Sequence, residues 1–149
     1  MVERPSWDAY FMGLAEKAAE MGTCGRKKVG AVIVDPVTKA VVSTGFNGAP
    51  RGLEHCTDMN KNICDGGCLN DEKRCVKSIH AEHNAILFAN QDLKGCVIYC
   101  TDEPCENCTK YIVQTGISKV VYKNAYFNKY NEYFRGNIIW SQFIEEEPS

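Results

Sequence analysis

The chain has 149 residues, 44% of them hydrophobic and 24% charged, with 12 Gly and 5 Pro, the composition of one ordinary globular domain able to hold a core without disulfide staples. A net charge of −2 provides no basic footprint for duplex nucleic acid or an anionic membrane, while a small anionic substrate held by one or two local cations stays open. No apolar run approaches the roughly 20 residues that cross a bilayer, and MVERPSWDAY carries charges where a secretory signal would be apolar, so a cytoplasmic protein without membrane or nucleic-acid partners is expected.

In chain order, Ser6 is placed to cap a helix in which Trp7, Tyr10, Phe11, Leu14 and Ala18 recur at helical spacing, with Gly22 as its stop. KVGAVIVDPVTKAVVSTGF, residues 28–46, reads as two β-branched runs around a Pro36–Lys39 turn, which is a hairpin. Residues 47–78 are irregular and rich in Gly, Asn, Asp and Cys, a length rarely left structureless in a compact domain unless something organises it. The pattern then alternates: a helix over about 80–90, a strand at Cys96–Cys100, a helix over about 105–115 ended by Gly116, and a strand at Lys119–Tyr122. A helix or irregular segment follows at 126–136, and NIIWSQFI makes a last short strand or helix. Strand–helix–strand units imply parallel pairing and the early hairpin is antiparallel. The expectation is a single α/β domain over 1–149, three layers (α/β/α) around a mixed, about five-stranded sheet.

Nine cysteines are an odd number for a disulfide framework, and in a reducing compartment Cys clustered with His reads as metal ligation. Cys105 and Cys108, introduced by Pro104, share one face of a helix start, where the positive helix end favours thiolates. His80 stands where another helix begins. One imidazole and two thiolates make three ligands for Zn²⁺ with a fourth position open, a catalytic rather than a structural count, and such an ion brings a water toward neutral pKa. Glu82, two residues past His80, can reach that position without ligating. Each part has a blander reading: a lone Cys-x-x-Cys is also half a structural site or a redox pair, a lone His at a helix start is also a polar cap, and His83, one turn on, competes with His80. The combination is more specific, because H-x-E followed by P-C-x-x-C is the signature of the zinc deaminases, and HAE at 80–82 and PCENC at 104–108 match it.

These stretches, together with SWDAYFM, TCGRKKVGAVIV, STGFNGAP, HAEHNAI, PCENCTK and the Tyr126 region, resemble the cytidine deaminase superfamily and, within it, the deoxycytidylate (dCMP) deaminases, over nearly the whole chain. The resemblance implies hydrolysis of dCMP to dUMP and ammonia, supplying the precursor of dTMP, with Glu82 carrying protons between the attacking water, ring N3 and the departing ammonia. It implies Asn47 on the sugar, Ala81 beside the substrate, and Arg26 and Tyr126 on the phosphate. Taken alone, an Asn-Gly pair is more often a turn, and Lys28 and Arg51 are the next cations to consider. It further implies a homohexamer activated by dCTP and inhibited by dTTP, with Mg²⁺ accompanying the triphosphate. The regulatory loop would be Gly45, Phe46, Asn47 and Gly48, where Phe46 replaces a tyrosine and so lacks its hydroxyl. Cys24, Cys56, Cys68 and Cys75 match positions where related deaminases place a second, closed zinc site, which is structural. Cys64 or His55 are alternatives to Cys68, and unligated thiols are the alternative to the site. Cys96 and Cys100 read as small core residues.

Two other functions remain open on these residues. One is deamination of another compound: a free nucleoside, a free base or adenosine in tRNA. The other is a zinc-organised binding module without turnover, which leaves Glu82 and the open coordination position without a purpose.

Overall fold

The computed structural model of the chain describes residues 4–23, 27–52, 78–126 and 130–145. Helix α1 spans Trp7–Ala19, with the Ser6 hydroxyl accepting the Ala9 N–H at 3.1 Å. It ends on Glu20, two residues before the expected stop at Gly22, because the chain turns there so that the Thr23 N–H reaches the Asn47 carbonyl at 3.0 Å.

Strands β1 (Gly30–Val34) and β2 (Val41–Phe46) form the expected antiparallel hairpin. Its turn is held by Asp35, whose carboxylate accepts the N–H groups of Val37 and Thr38 at 2.8 and 3.2 Å. Helix α2 (Ala81–Leu87), strand β3 (Val97–Asp102), helix α3 (Glu106–Thr115) and strand β4 (Lys119–Asn124) follow, then a four-residue helix α4 (Asn131–Phe134) and strand β5 (Ile139–Gln142). Gly116 closes α3 at φ 83°, a left-handed cap for which glycine carries no Cβ penalty.

The sheet order is β2-β1-β3-β4-β5; β1 runs antiparallel to both neighbours, while β3, β4 and β5 are mutually parallel. All five residues of β1 and all six of β3 are buried, since these central strands are covered on both faces. On one face Phe11, Met12 and Ala15 of α1 pack on Val32, Val34, Val97, Tyr99 and Val121. On the other, Ala81, Ala85 and Ile112 from α2 and α3 pack on Ala31, Ile33, Ile98, Cys100 and Val120. Three layers around a mixed five-stranded sheet result, and Cys96 and Cys100 are buried thiols in its core. With Ala81 and Ala85 of α2 and Ile112 of α3 buried on this face, the first turns of both helices are brought to the same end of the sheet, where β3 runs out.

Candidate metal centre

His80 owes its place to the residue before it. Gly48 and Ile79 exchange two backbone hydrogen bonds, at 3.1 and 2.7 Å, and the Asn84 side-chain amide donates to the Phe46 carbonyl at 2.8 Å. The segment after β2 therefore holds both sides of the His80 turn. Cys105 caps α3 through its backbone and makes no side-chain cap bond, which leaves its sulfur to face His80.

The His80 Nδ1 atom lies 3.2 Å from Cys108 Sγ and 3.4 Å from Cys105 Sγ, and the three donor atoms sit within 4.8 Å of one another. A tetrahedral zinc with ordinary Zn–N and Zn–S bonds separates such atoms by about 3.6 Å. The set is thus preformed for the ion, drawn in by a few tenths of an ångström. His83 stands apart from it, its ring against Tyr111 with centroids 4.1 Å apart, so the structure brings His80 rather than His83 to the thiols. The cluster is exposed at His80 and buried at Cys108, a mouth with a closed floor.

The electrostatics suit a cation. A hydrogen bond from Cys108, then one involving His80, brings the Cys105 thiol down to about 3 against the opposing effect of burial, while the same sulfur–sulfur bond and burial raise Cys108. The two sulfurs therefore hold one negative charge between them, and an incoming metal displaces the remaining proton. Glu82 is 4% exposed. Burial pushes its carboxyl up to about 7, only partly offset by a hydrogen bond with Cys108 and by His80. A carboxyl near neutrality beside the metal ligands can both take and return a proton.

Residues 5–124 match the family described as the cytidine and deoxycytidylate deaminase zinc-binding region. The chain belongs to this family. It is 44% identical over 125 residues to a deoxycytidylate deaminase of Saccharomyces cerevisiae, covering 83% of this chain and 39% of the yeast protein. With the deoxycytidylate deaminase of Mycobacterium phage D29 it shares 40% identity over 127 residues, covering 81% of this chain and 97% of the phage protein. The chain thus spans well under half of the yeast relative and nearly all of the phage one. Among solved structures, the dCMP deaminase of cyanophage S-TIM5 in complex with dCMP and dUMP superposes with a TM-score of 0.74 at 26% identity, over 95% of this chain and 100% of that one. The cytidine deaminase-like fold is thereby established.

In this deaminase-family chain the other expected site residues fall in several places. Asn47 is buried, and both its side-chain polar atoms are engaged with the backbone of residues 27 and 29. Ala81, the first residue of α2, is fully buried, Gly45 and Gly48 are buried, and Phe46 is exposed. Tyr126 is exposed and its backbone N–H donates to Glu103 at 3.0 Å. Of the next cations, Lys28 lies 3.5 Å from the Glu20 carbonyl and Arg51 stacks over the Phe88 ring. Arg26, Cys24, Cys56, Cys68 and Cys75, with the alternatives Cys64 and His55, lie outside the described residues.

Two contributors escape a reading of the sequence. Lys27, rather than Lys28, sits over the carboxyl end of β3, 3.3 Å from Asp102, which also accepts from Asn124 at 3.0 Å. Glu103, next to the Pro-Cys turn, accepts from Arg135, Trp140 and Tyr126. A carboxylate at the end of a buried strand was the available signal for Glu103. Nothing local marks its partners.

Proposed function

We propose that this chain hydrolyses dCMP to dUMP and ammonia, with zinc held by His80, Cys105 and Cys108 and with Glu82 moving the protons. The carrying observation is the His–Cys–Cys set already within ligand distance, with a buried carboxyl against it. It occurs in a chain that covers 97% of a phage deoxycytidylate deaminase at 40% identity.

Zinc bound there supplies Lewis acidity at one open coordination position. Glu82 does the rest. Its carboxylate takes a proton from the attacking water as the new bond to C4 forms, and places that proton on ring N3. It then takes the second proton, from the new C4 hydroxyl, and gives it to N4; the C4–N4 bond breaks and ammonia leaves neutral. A carboxyl poised near 7 serves both transfers at physiological pH. Burial of Glu82 and Cys108 keeps bulk water from competing for those protons.

The family resemblance supports Asn47 and Ala81 on the sugar and base side, and Arg26 and Tyr126 on the phosphate. It also supports a single domain over 1–149, a cytoplasmic homohexamer feeding dTMP synthesis, and a second, structural zinc at Cys24, Cys56, Cys68 and Cys75. Control by dCTP with Mg²⁺ and by dTTP through Gly45, Phe46, Asn47 and Gly48 belongs to the same reading.

Ammonia release measured with dCMP, deoxycytidine, cytosine and a tRNA carrying the wobble adenosine tests the substrate. Preference for dCMP is expected; turnover of the nucleoside at equal kcat/KM removes the phosphate contacts, and no turnover of any of the four removes the enzyme. Adding dCTP or dTTP to the dCMP assay, with the assembly mass measured alongside, tests regulation and the hexamer.

A further inference from the structure

The matched family region ends at residue 124, yet the chain beyond it grips the turn that carries Cys105, one of the two metal-site sulfurs. Asn131, on α4, is 1% exposed. Its side-chain N–H donates to the Pro104 carbonyl at 2.8 Å, and its Oδ1 lies 3.4 Å from the Thr109 hydroxyl, which donates to the Cys105 carbonyl at 2.8 Å. One residue earlier, Glu103 accepts from Arg135 at 3.1 Å and from Trp140 at 2.9 Å.

A fully buried amide carries a desolvation cost that an apolar side chain of the same size would avoid. It gives in return a defined orientation to whatever it bonds. Here that is the Pro104–Cys105 peptide plane. The carbonyl of that plane is held by Asn131 from 27 residues away, while the next carbonyl, that of Cys105, is held locally by Thr109. Rotating the plane swings Cys105 Sγ relative to His80 Nδ1, a pair held at 3.4 Å.

We propose that Asn131 is a positioning residue for the metal centre. By fixing the Pro104–Cys105 turn from outside the matched region, together with Thr109, it sets the spacing of the sulfurs and the residence time of the ion. This rests on the reading of His80, Cys105 and Cys108 as zinc ligands.

The test is the rate at which zinc passes from the folded, zinc-loaded protein to a chromogenic chelator, well below the melting temperature. Asn131→Leu keeps the volume and removes both polar atoms, and Thr109→Val removes the hydroxyl that Thr109→Ser keeps. Met12→Ala, buried on the opposite face of the sheet, is the control for lost stability alone. Asn131→Leu is expected to release zinc about 10-fold faster than wild type, as loss of an outer support of a ligand commonly does. Thr109→Val should be intermediate, and Thr109→Ser and Met12→Ala should match wild type. Release from Asn131→Leu no faster than from Met12→Ala overturns the inference while leaving the zinc reading intact. A wild type that holds no zinc after loading overturns both. If Asn131→Leu does not fold, Thr109→Val against Thr109→Ser decides on the same measurement, with equal rates counting against the proposal.

Discussion

A Cβ on Gly45 would stand 2.3 Å from the carbonyl oxygen of Ala81 and 2.5 Å from the Ala85 nitrogen. Both are backbone atoms of α2, so no rotamer change makes room. Gly45→Ala must lift α2 from β2 and with it the turn bearing Glu82. The expected loss is about 3 kcal/mol, or roughly 6–12 °C in Tm for a domain of this size. A thermal melt that moves by less than a degree or so would show that the two elements do not pack as described.

Glu82→Gln keeps the shape of the side chain and removes its proton traffic. The variant should fold and retain the ion at His80, Cys105 and Cys108, while kcat falls by about 10²–10⁴-fold or more. Metal analysis beside steady-state kinetics separates the possibilities. Near-normal turnover refutes the proton-carrier role, and loss of the ion makes Glu82 a ligand instead.

Asn47 accepts the Val29 N–H at 2.9 Å and donates to the Lys27 carbonyl at 2.6 Å. Asn47→Asp keeps the acceptor but sets an oxygen against the Lys27 oxygen. A loss of about 1–3 kcal/mol in urea unfolding is expected, along with a raised KM for dCMP, because the approach to β1 shifts. An unaltered unfolding midpoint would mean that this amide does not hold residues 27–29.

Cys75→Ser tests the proposed second zinc. Wild-type protein should contain two ions per chain, and the variant about one, since a closed four-ligand site does not survive loss of a thiolate. The retained ion should be the one on His80, Cys105 and Cys108. Two ions in the variant exclude Cys75, and one in wild type excludes the second site.

What could be read in advance was what is local. His80 with Glu82, and Cys105 with Cys108, announce their chemistry within four residues, and Pro104 and Gly116 bracket α3 almost to the residue. Errors arose where tertiary contact overrode local preference. α2 stops at Leu87 rather than about 90: the Ala89 N–H turns back to the Ile86 carbonyl and Ala89 packs on the core, while Leu87 and Phe88 stay 63% and 61% exposed. β3 and β4 each run two residues beyond expectation, since Asp102 and Asn124, polar residues that suggest a loop, pair across the parallel ladder and bond through their side chains. Asn131 was illegible for a related reason. It is one asparagine among several in a segment without periodicity, and its partners lie 27 and 22 residues away.

The ligand set has a consequence for how the chain folds. His80 and Cys108 are 28 residues apart, and closing a loop of that length costs only about 3 kcal/mol of chain entropy. Zinc binding to a small site is worth on the order of 10 kcal/mol, so capture of the ion can draw α2, β3 and α3 together before the β1–β2 hairpin has docked. The order in which the two halves of the sheet assemble is then expected to depend on metal supply. Refolding with zinc present should proceed through a compact half-sheet nucleus that refolding under chelation lacks.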